Sequence, residues 1–282
     1  MFKYKLRRSI FNIYAHVYYL VHKIMGKKVN YDQCQISFFK FWEFFTKDFY
    51  YKIGDDKVFY NPIRSGVGWV AFFNKSFEQE ELDQCKKLIK TDDVVFDIGA
   101  NIGSHSLLFS SLANKGIVYS VEPSRITFAN LLRNVKYKGN IVPLSVAVSN
   151  TNALLNFYEC DNDVMSGLKN TDRSGVTFVN KVPAVKLDDL CKMLSIQKLD
   201  FVKIDVEGLE TEVIEGFTET LSKFKPIIFC EIYSGTNSNP DPDKTIQLIN
   251  SLGYQANILK GSELVPFEKH DDNYHNYFFI SK

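Results

Sequence analysis

Val94-Val95-Phe96-Asp97-Ile98-Gly99-Ala100-Asn101-Ile102-Gly103 is the stretch on which the reading of this 282-residue chain turns. An apolar, β-branched run predicts a buried strand over Val94–Ile98. The two glycines predict a tight turn, and the residues beyond predict a helix over Ser104–Asn114. Gly99 and Gly103 let backbone approach a ligand closely, and the first turn of the helix offers free N–H groups. At the end of the next strand, Ile117–Glu122, stands Glu122, where an open α/β sheet carries an acid for two ribose hydroxyls. Strand, glycine turn, helix, strand and acid together point to a nucleotide-like cofactor.

The charge of the turn selects among cofactors. A dinucleotide brings a pyrophosphate and uses G-x-G-x-x-G, whereas this turn is G-x-N-x-G preceded by Asp97, whose carboxylate repels phosphate. S-adenosylmethionine brings a sulfonium, an ammonium and a carboxylate. That net positive guest suits one acid at the turn and a second at the ribose. A nicotinamide oxidoreductase and a non-catalytic binding protein that keeps the fold stand as the alternatives.

Outward from this segment, β-rich runs alternate with helical ones, the pattern of a mostly parallel sheet covered on both faces. Further strands are expected at Ile141–Val148, Phe201–Val206, Ile227–Ile232, Tyr254–Leu259 and Asn276–Ile280, seven in all. Crossover helices are expected at Ser124–Tyr137, Leu209–Phe224 and Asp243–Leu252. The excursion Asn152–Leu190 is long enough for a strand pair and a loop near Met165-Ser166-Gly167, and such excursions carry binding residues.

A second motif, Phe201-Val202-Lys203-Ile204-Asp205-Val206-Glu207-Gly208-Leu209-Glu210, again runs from a strand through carboxylates and a glycine into a helix. Asp205 and Glu207 fall at the carboxyl edge of the sheet, where ligands of such folds bind. Three roles stay open for them: general base for a hydroxyl acceptor, hydrogen-bonding orienter, or, with Glu231, ligand of a divalent metal. Glu210 is read as a favourable charge at the start of its helix. His105 could reach the transfer site as a base, but a histidine in a first helical turn is at least as often a packing or hydrogen-bonding residue, and it is left out of the candidate set. His270, Asp271, Asp272 and His275 are read as a polar turn, and no metal is assigned.

DIGANIG (97–103) and KIDVEGLE (203–210), with VEP (121–123), AVS (147–149), VKLDDL (185–190) and EI (231–232), resemble the FkbM-type methyltransferase family over residues 77–280. The resemblance implies a class I, Rossmann-like α/β methyltransferase fold and O-methylation of a hydroxyl on a saccharide or secondary metabolite. It also implies that Asp97, Gly99, Asn101 and Gly103 form the methionine-side loop, that Glu122 takes the ribose, and that Ala147 lies by the adenine pocket.

Residues 1–76 precede that resemblance and form an expected extension to a methyltransferase domain at 77–282. It is read as helical and aromatic, with a hairpin over Tyr50–Asn61 turning at Gly54-Asp55-Asp56; a helix over Phe77–Lys90 follows. Residues 1–28 hold seven basic side chains and no acid, leaving 27 basic against 33 acidic residues elsewhere. Their apolar run, Ile10–Val21, is shorter than the ~20 residues that span a bilayer. Packing on its own domain or on a twin subunit is preferred there; peripheral contact with an anionic membrane is the alternative. With a formal charge of +1, the chain lacks the field that attracts a nucleic-acid backbone. Five scattered cysteines without a C-x-x-C pair read as thiols of a cytoplasmic protein.

Overall fold

The structure is a computed structural model describing residues 2–42, 49–61, 65–73, 79–170, 175–234, 239, 241–267, 269–271 and 273–282. The chain forms two compact units, residues 1–77 and 78–282. Residues 76 and 77, where the sequence places a boundary, lie outside the described residues, as does Asp272.

In the first unit, α1 (Phe2–Ile24) and α2 (Tyr31–Trp42) precede a hairpin of β1 (Tyr50–Ile53) and β2 (Asp56–Phe59), then α3 (Gly66–Phe73). Its core is aromatic. Phe11 of α1 meets Phe38 of α2 and Trp69 of α3 edge to face, with centroids 5.1 and 5.2 Å apart. This geometry suits the ring quadrupoles. Arg7 donates to the Phe72 carbonyl at 3.1 Å and lies over that residue's ring.

The second unit opens with α4 (Gln79–Leu88), then β3 (Val94–Ile98), α5 (Ser104–Leu112), β4 (Ile117–Val121), α6 (Arg125–Val135) and β5 (Ile141–Leu144). Next come β6 (Ala147–Val148), β7 (Ala153–Cys160), β8 (Val176–Val185), α7 (Leu187–Met193) and β9 (Phe201–Ile204). The chain closes with α8 (Glu210–Glu215), α9 (Thr218–Phe224), β10 (Ile227–Glu231), α10 (Pro242–Ser251), β11 (Tyr254–Lys260), β12 (Glu263–Pro266) and β13 (Asn276–Ser281).

Eight strands form the main sheet in the order β12-β11-β13-β10-β9-β3-β4-β5. The five from β10 to β5 are parallel, and β13, β11 and β12 are antiparallel. Fully buried apolar strands at its centre, Phe201–Ile204 among them, are what helices on both faces demand. The strand order reverses between β3 and β9, so the ligand crevice of a doubly wound sheet falls at the two glycine-bearing loops.

Three expectations need correction. Among the described residues the sheet has eight strands, not seven: β12 was missed because its four residues include Glu263 and Pro266, yet Gly261 at φ +61 turns β11 into it. The run Ile141–Val148 is not one strand. Pro143 suits an edge strand, where β5 lies, and Ala147–Val148 leaves the sheet to pair with β8 in a separate sheet ordered β6-β8-β7. Leu209–Phe224 is not one helix either. It breaks at Gly216, whose Cβ would fall on the Ser149 carbonyl and whose own carbonyl accepts from the Asp188 N–H at 3.0 Å.

Candidate functional site

The floor of the crevice is a backbone contact. Asp205 N–H donates to the Ile98 carbonyl at 3.0 Å, and Gly99, at φ +78, brings its Cα so near that a Cβ would fall on the Asp205 carbonyl oxygen. A side chain at Gly103, at φ +90, would meet Leu131 at 2.8 Å and Val135 at 3.3 Å. Both glycines are thus required by the protein's own packing; the approach to a ligand inferred from sequence comes second.

Between them the loop crosses to β4. Gly99 and Ala100 donate to the Val121 carbonyl at 3.0 and 2.9 Å. Asn101, at φ +49, turns its N–H onto Glu122 Oε2 at 2.9 Å, in a conformation that Asn adopts more readily than most residues. Glu122 Oε1 accepts from Ser124 N–H at 2.7 Å. Burial pushes the Glu122 carboxyl up to about 8, against these two hydrogen bonds, and the charges of Glu159 and Asp163 add to the rise.

Asp97 is fully buried in β3. Its Oδ2 accepts from Ser106 Oγ at 2.6 Å, and Ser106 Oγ accepts in turn from Ser120 Oγ at 2.8 Å. Oδ1 has no hydrogen-bond partner among the described residues. A buried carboxylate oxygen without a donor is costly, so it marks a position that a ligand's N–H or O–H can complete.

Glu159 closes the same corner from the excursion, which forms the expected strand pair as β7 and β8. Its side chain is buried, with Oε2 accepting from Ser124 Oγ at 2.8 Å and Oε1 without a partner among the described residues. Ser124 meanwhile caps α6 through Thr127 N–H. Glu159 escaped the sequence reading because nothing local distinguishes it from other strand residues; only the hairpin brings it to Glu122. Ala147 packs in the small core of Phe157, Val182 and Ala184.

The second motif supplies a different cluster. Asp205 Oδ2 lies 2.8 Å from Lys203 Nζ, the lysine being almost wholly buried and Asp205 29% exposed at its side chain. Burial raises the Asp205 carboxyl, but the Lys203 charge and hydrogen bond outweigh it. His105 and a hydrogen bond shared with Glu231 add to this pull and hold Asp205 below the usual carboxylate range. Lys203 was missed, although its signal is present: a lysine between Val202 and Ile204, two residues before an acid, shares that acid's strand face.

Glu207 sits at φ +55 ahead of Gly208 at φ +94, a run of left-handed backbone at the sheet edge. Glu210 is buried. Its Oε1 accepts from Gly208 N–H at 2.8 Å and its Oε2 from Asn239 at 3.0 Å, while burial raises it to about 7. Its expected place at a helix start holds, but as a buried acceptor and not an exposed charge. His270 bonds Tyr277 OH at 2.8 Å. Among the described residues no group of three or more His, Cys, Asp or Glu is arranged to hold a metal.

The family model for the methyltransferase FkbM domain matches residues 97–256. Hexuronic acid methyltransferase AglP of Haloferax volcanii is 29% identical over 184 residues, spanning 65% of this chain and 72% of its own. The 2-O-methyltransferase NoeI of Sinorhizobium fredii is 30% identical over 152 residues, spanning 48% of this chain; the match takes in 62% of NoeI, under two thirds of its length. The crystal structure of methyltransferase FkbM from Methylobacillus flagellatus superposes with a TM-score of 0.45 at 16% identity, over 68% of this chain and 44% of that one. With the match beginning at Asp97 and running through both loops that meet at the crevice, the chain is a methyltransferase of class I fold and belongs to the FkbM family.

Proposed function

We propose that the protein transfers a methyl group from S-adenosylmethionine to a hydroxyl group of a saccharide. The observation that carries the cofactor reading is the unpartnered Oδ1 of buried Asp97, at the end of the strand that feeds the glycine loop. An acid there suits a guest of net positive charge and opposes a pyrophosphate. In this reading Asp97, Gly99, Asn101 and Gly103 hold the methionine end and Glu122 the ribose; Ala147 stands by the adenine through resemblance alone. The saccharide half is supported by the hexuronic acid and 2-O- activities named for the two relatives.

The bound cofactor supplies an electrophilic methyl carbon on a sulfonium. The chain's own task is to hold an acceptor oxygen in line with that carbon and to receive the proton the alcohol loses as the C–O bond forms and the C–S bond breaks. Asp205, kept ionised by Lys203, accepts a hydrogen bond from the hydroxyl and orients it. A carboxylate held this low is a weak base, so orientation is its larger contribution and Glu207 is the second candidate acceptor of the proton.

Titration calorimetry with S-adenosylmethionine and with NAD, followed by transfer of labelled methyl to uronic-acid saccharides, tests the proposal. Binding of the sulfonium compound alone and label in the saccharide are expected. Binding of NAD alone, or label confined to acceptors without a sugar, defeats it.

A further inference from the structure

We infer that the first unit carries a docking surface for an anionic lipid bilayer, formed by the exposed apolar face of α1 and the basic side chains beside it and at that helix's end. Leu6, Ile10, Ile13, Val17, Leu20 and Ile24 recur at alternating spacings of four and three along α1, which places them on a single face. All but Ile10 are exposed; Ile13 is 67% and Ile24 77% exposed. The opposite face, through Phe11, is the one buried against α2 and α3. The helix therefore has two apolar faces, and the fold uses one.

Charge decides what the other meets. Lys5 and Lys23 project about a quarter turn from the apolar stripe, and no acid occurs anywhere in residues 1–28. A second copy of this helix would set cations against cations with no carboxylate to pair them, whereas anionic head groups match them. Past Ile24 and Met25, both exposed, stand Lys27 and Lys28, exposed as well. With Lys23 they gather cations at the end of the helix that carries the stripe, matched to lipid phosphate while the stripe enters the acyl boundary. No described helix is long and apolar enough to cross a membrane, so the contact is one of lying on the surface.

Flotation of the full chain with vesicles of phosphatidylcholine, alone or mixed with phosphatidylglycerol, tests this without recourse to methyl transfer. Recovery with the mixed vesicles, and its decline as salt is raised, is expected. Val17→Asp with Leu20→Asp, both exposed positions, abolishes recovery while the melting temperature stays put. Lys23→Glu with Lys27→Glu and Lys28→Glu lowers partitioning at least about tenfold. Failure to float with the mixed vesicles, equal recovery with both vesicle types, or a dimer in sedimentation that Val17→Asp with Leu20→Asp dissociates, overturns the inference.

Discussion

The Cα of Gly99 and the carbonyl of Asp205 touch: no Cβ fits between the cofactor loop and the acceptor motif. Gly99→Ala, strained at φ +78 as well, should lower stability by about 2 kcal/mol or more and abolish cofactor binding. Gly139→Ala, where a Cβ meets nothing within 4 Å, should stay within about 0.5 kcal/mol of the parent. Denaturant midpoints of the two variants check both, and a wild-type midpoint for Gly99→Ala contradicts the contact.

Glu122 titrates at about 8 in the protein, so below that pH it is protonated in most molecules. Ribose hydroxyls donate best to the ionised form. Affinity for S-adenosylmethionine should therefore rise as pH goes from 6 to 8, by up to about tenfold per unit, and level off above. Calorimetry across this range reads the slope, and a flat or falling profile removes Glu122 from the ribose.

Asp205→Asn removes the carboxylate that Lys203 pairs with and the acceptor for the substrate hydroxyl. Turnover should fall by about a hundredfold with cofactor affinity nearly unchanged. Glu207→Gln is the companion variant, and wild-type turnover in both would end the proposal that either residue serves the acceptor. Lys203→Met frees Asp205 to titrate higher, which should move the acidic limb of the pH–rate profile upward.

Stability should fall with rising pH between about 4.5 and 8. Glu122 and Glu210, raised to about 8 and about 7, hold protons in the folded chain that the unfolded chain has already lost. The folded state thus binds more protons across that window, and unfolding becomes easier as pH climbs. Melting temperatures at pH 6 and 8.5 measure the trend; a rise over this interval contradicts the burial of these acids.

Asp188 caps α9 from a distance, its two carboxylate oxygens accepting from Thr220 N–H at 2.8 Å and Glu219 N–H at 3.1 Å. Asp188→Ala should cost about 1–2 kcal/mol of stability and leave the Michaelis constants alone. Altered kinetics in the folded variant would give this residue of the VKLDDL motif a part in the site instead.

How much of this could be read from sequence depended on range. The strands β3, β4, β9 and β10 and both glycine loops were legible, because apolar runs ending in glycine and an acid express a local rule of parallel sheets. The break at Gly216 was not, since its cause lies in Ser149 and Asp188, distant in the chain. In the candidate site, Asp97, Glu122 and Asp205 could be named from position. Their states could not: the pull of Lys203 on Asp205 and the push of Glu159 on Glu122 exist only once strands pair. Gly99 was assigned to ligand approach, whereas its nearest claimant is Asp205.

The hairpin of β7 and β8 has a consequence for engineering. Because Glu159 rides on it and helps raise Glu122, exchanging this hairpin among relatives would also retune the pH at which Glu122 ionises. A graft that carries a neutral residue at position 159 should favour the ionised Glu122 and take up the methyl donor at lower pH. The hairpin and the ionisation of Glu122 are inherited together.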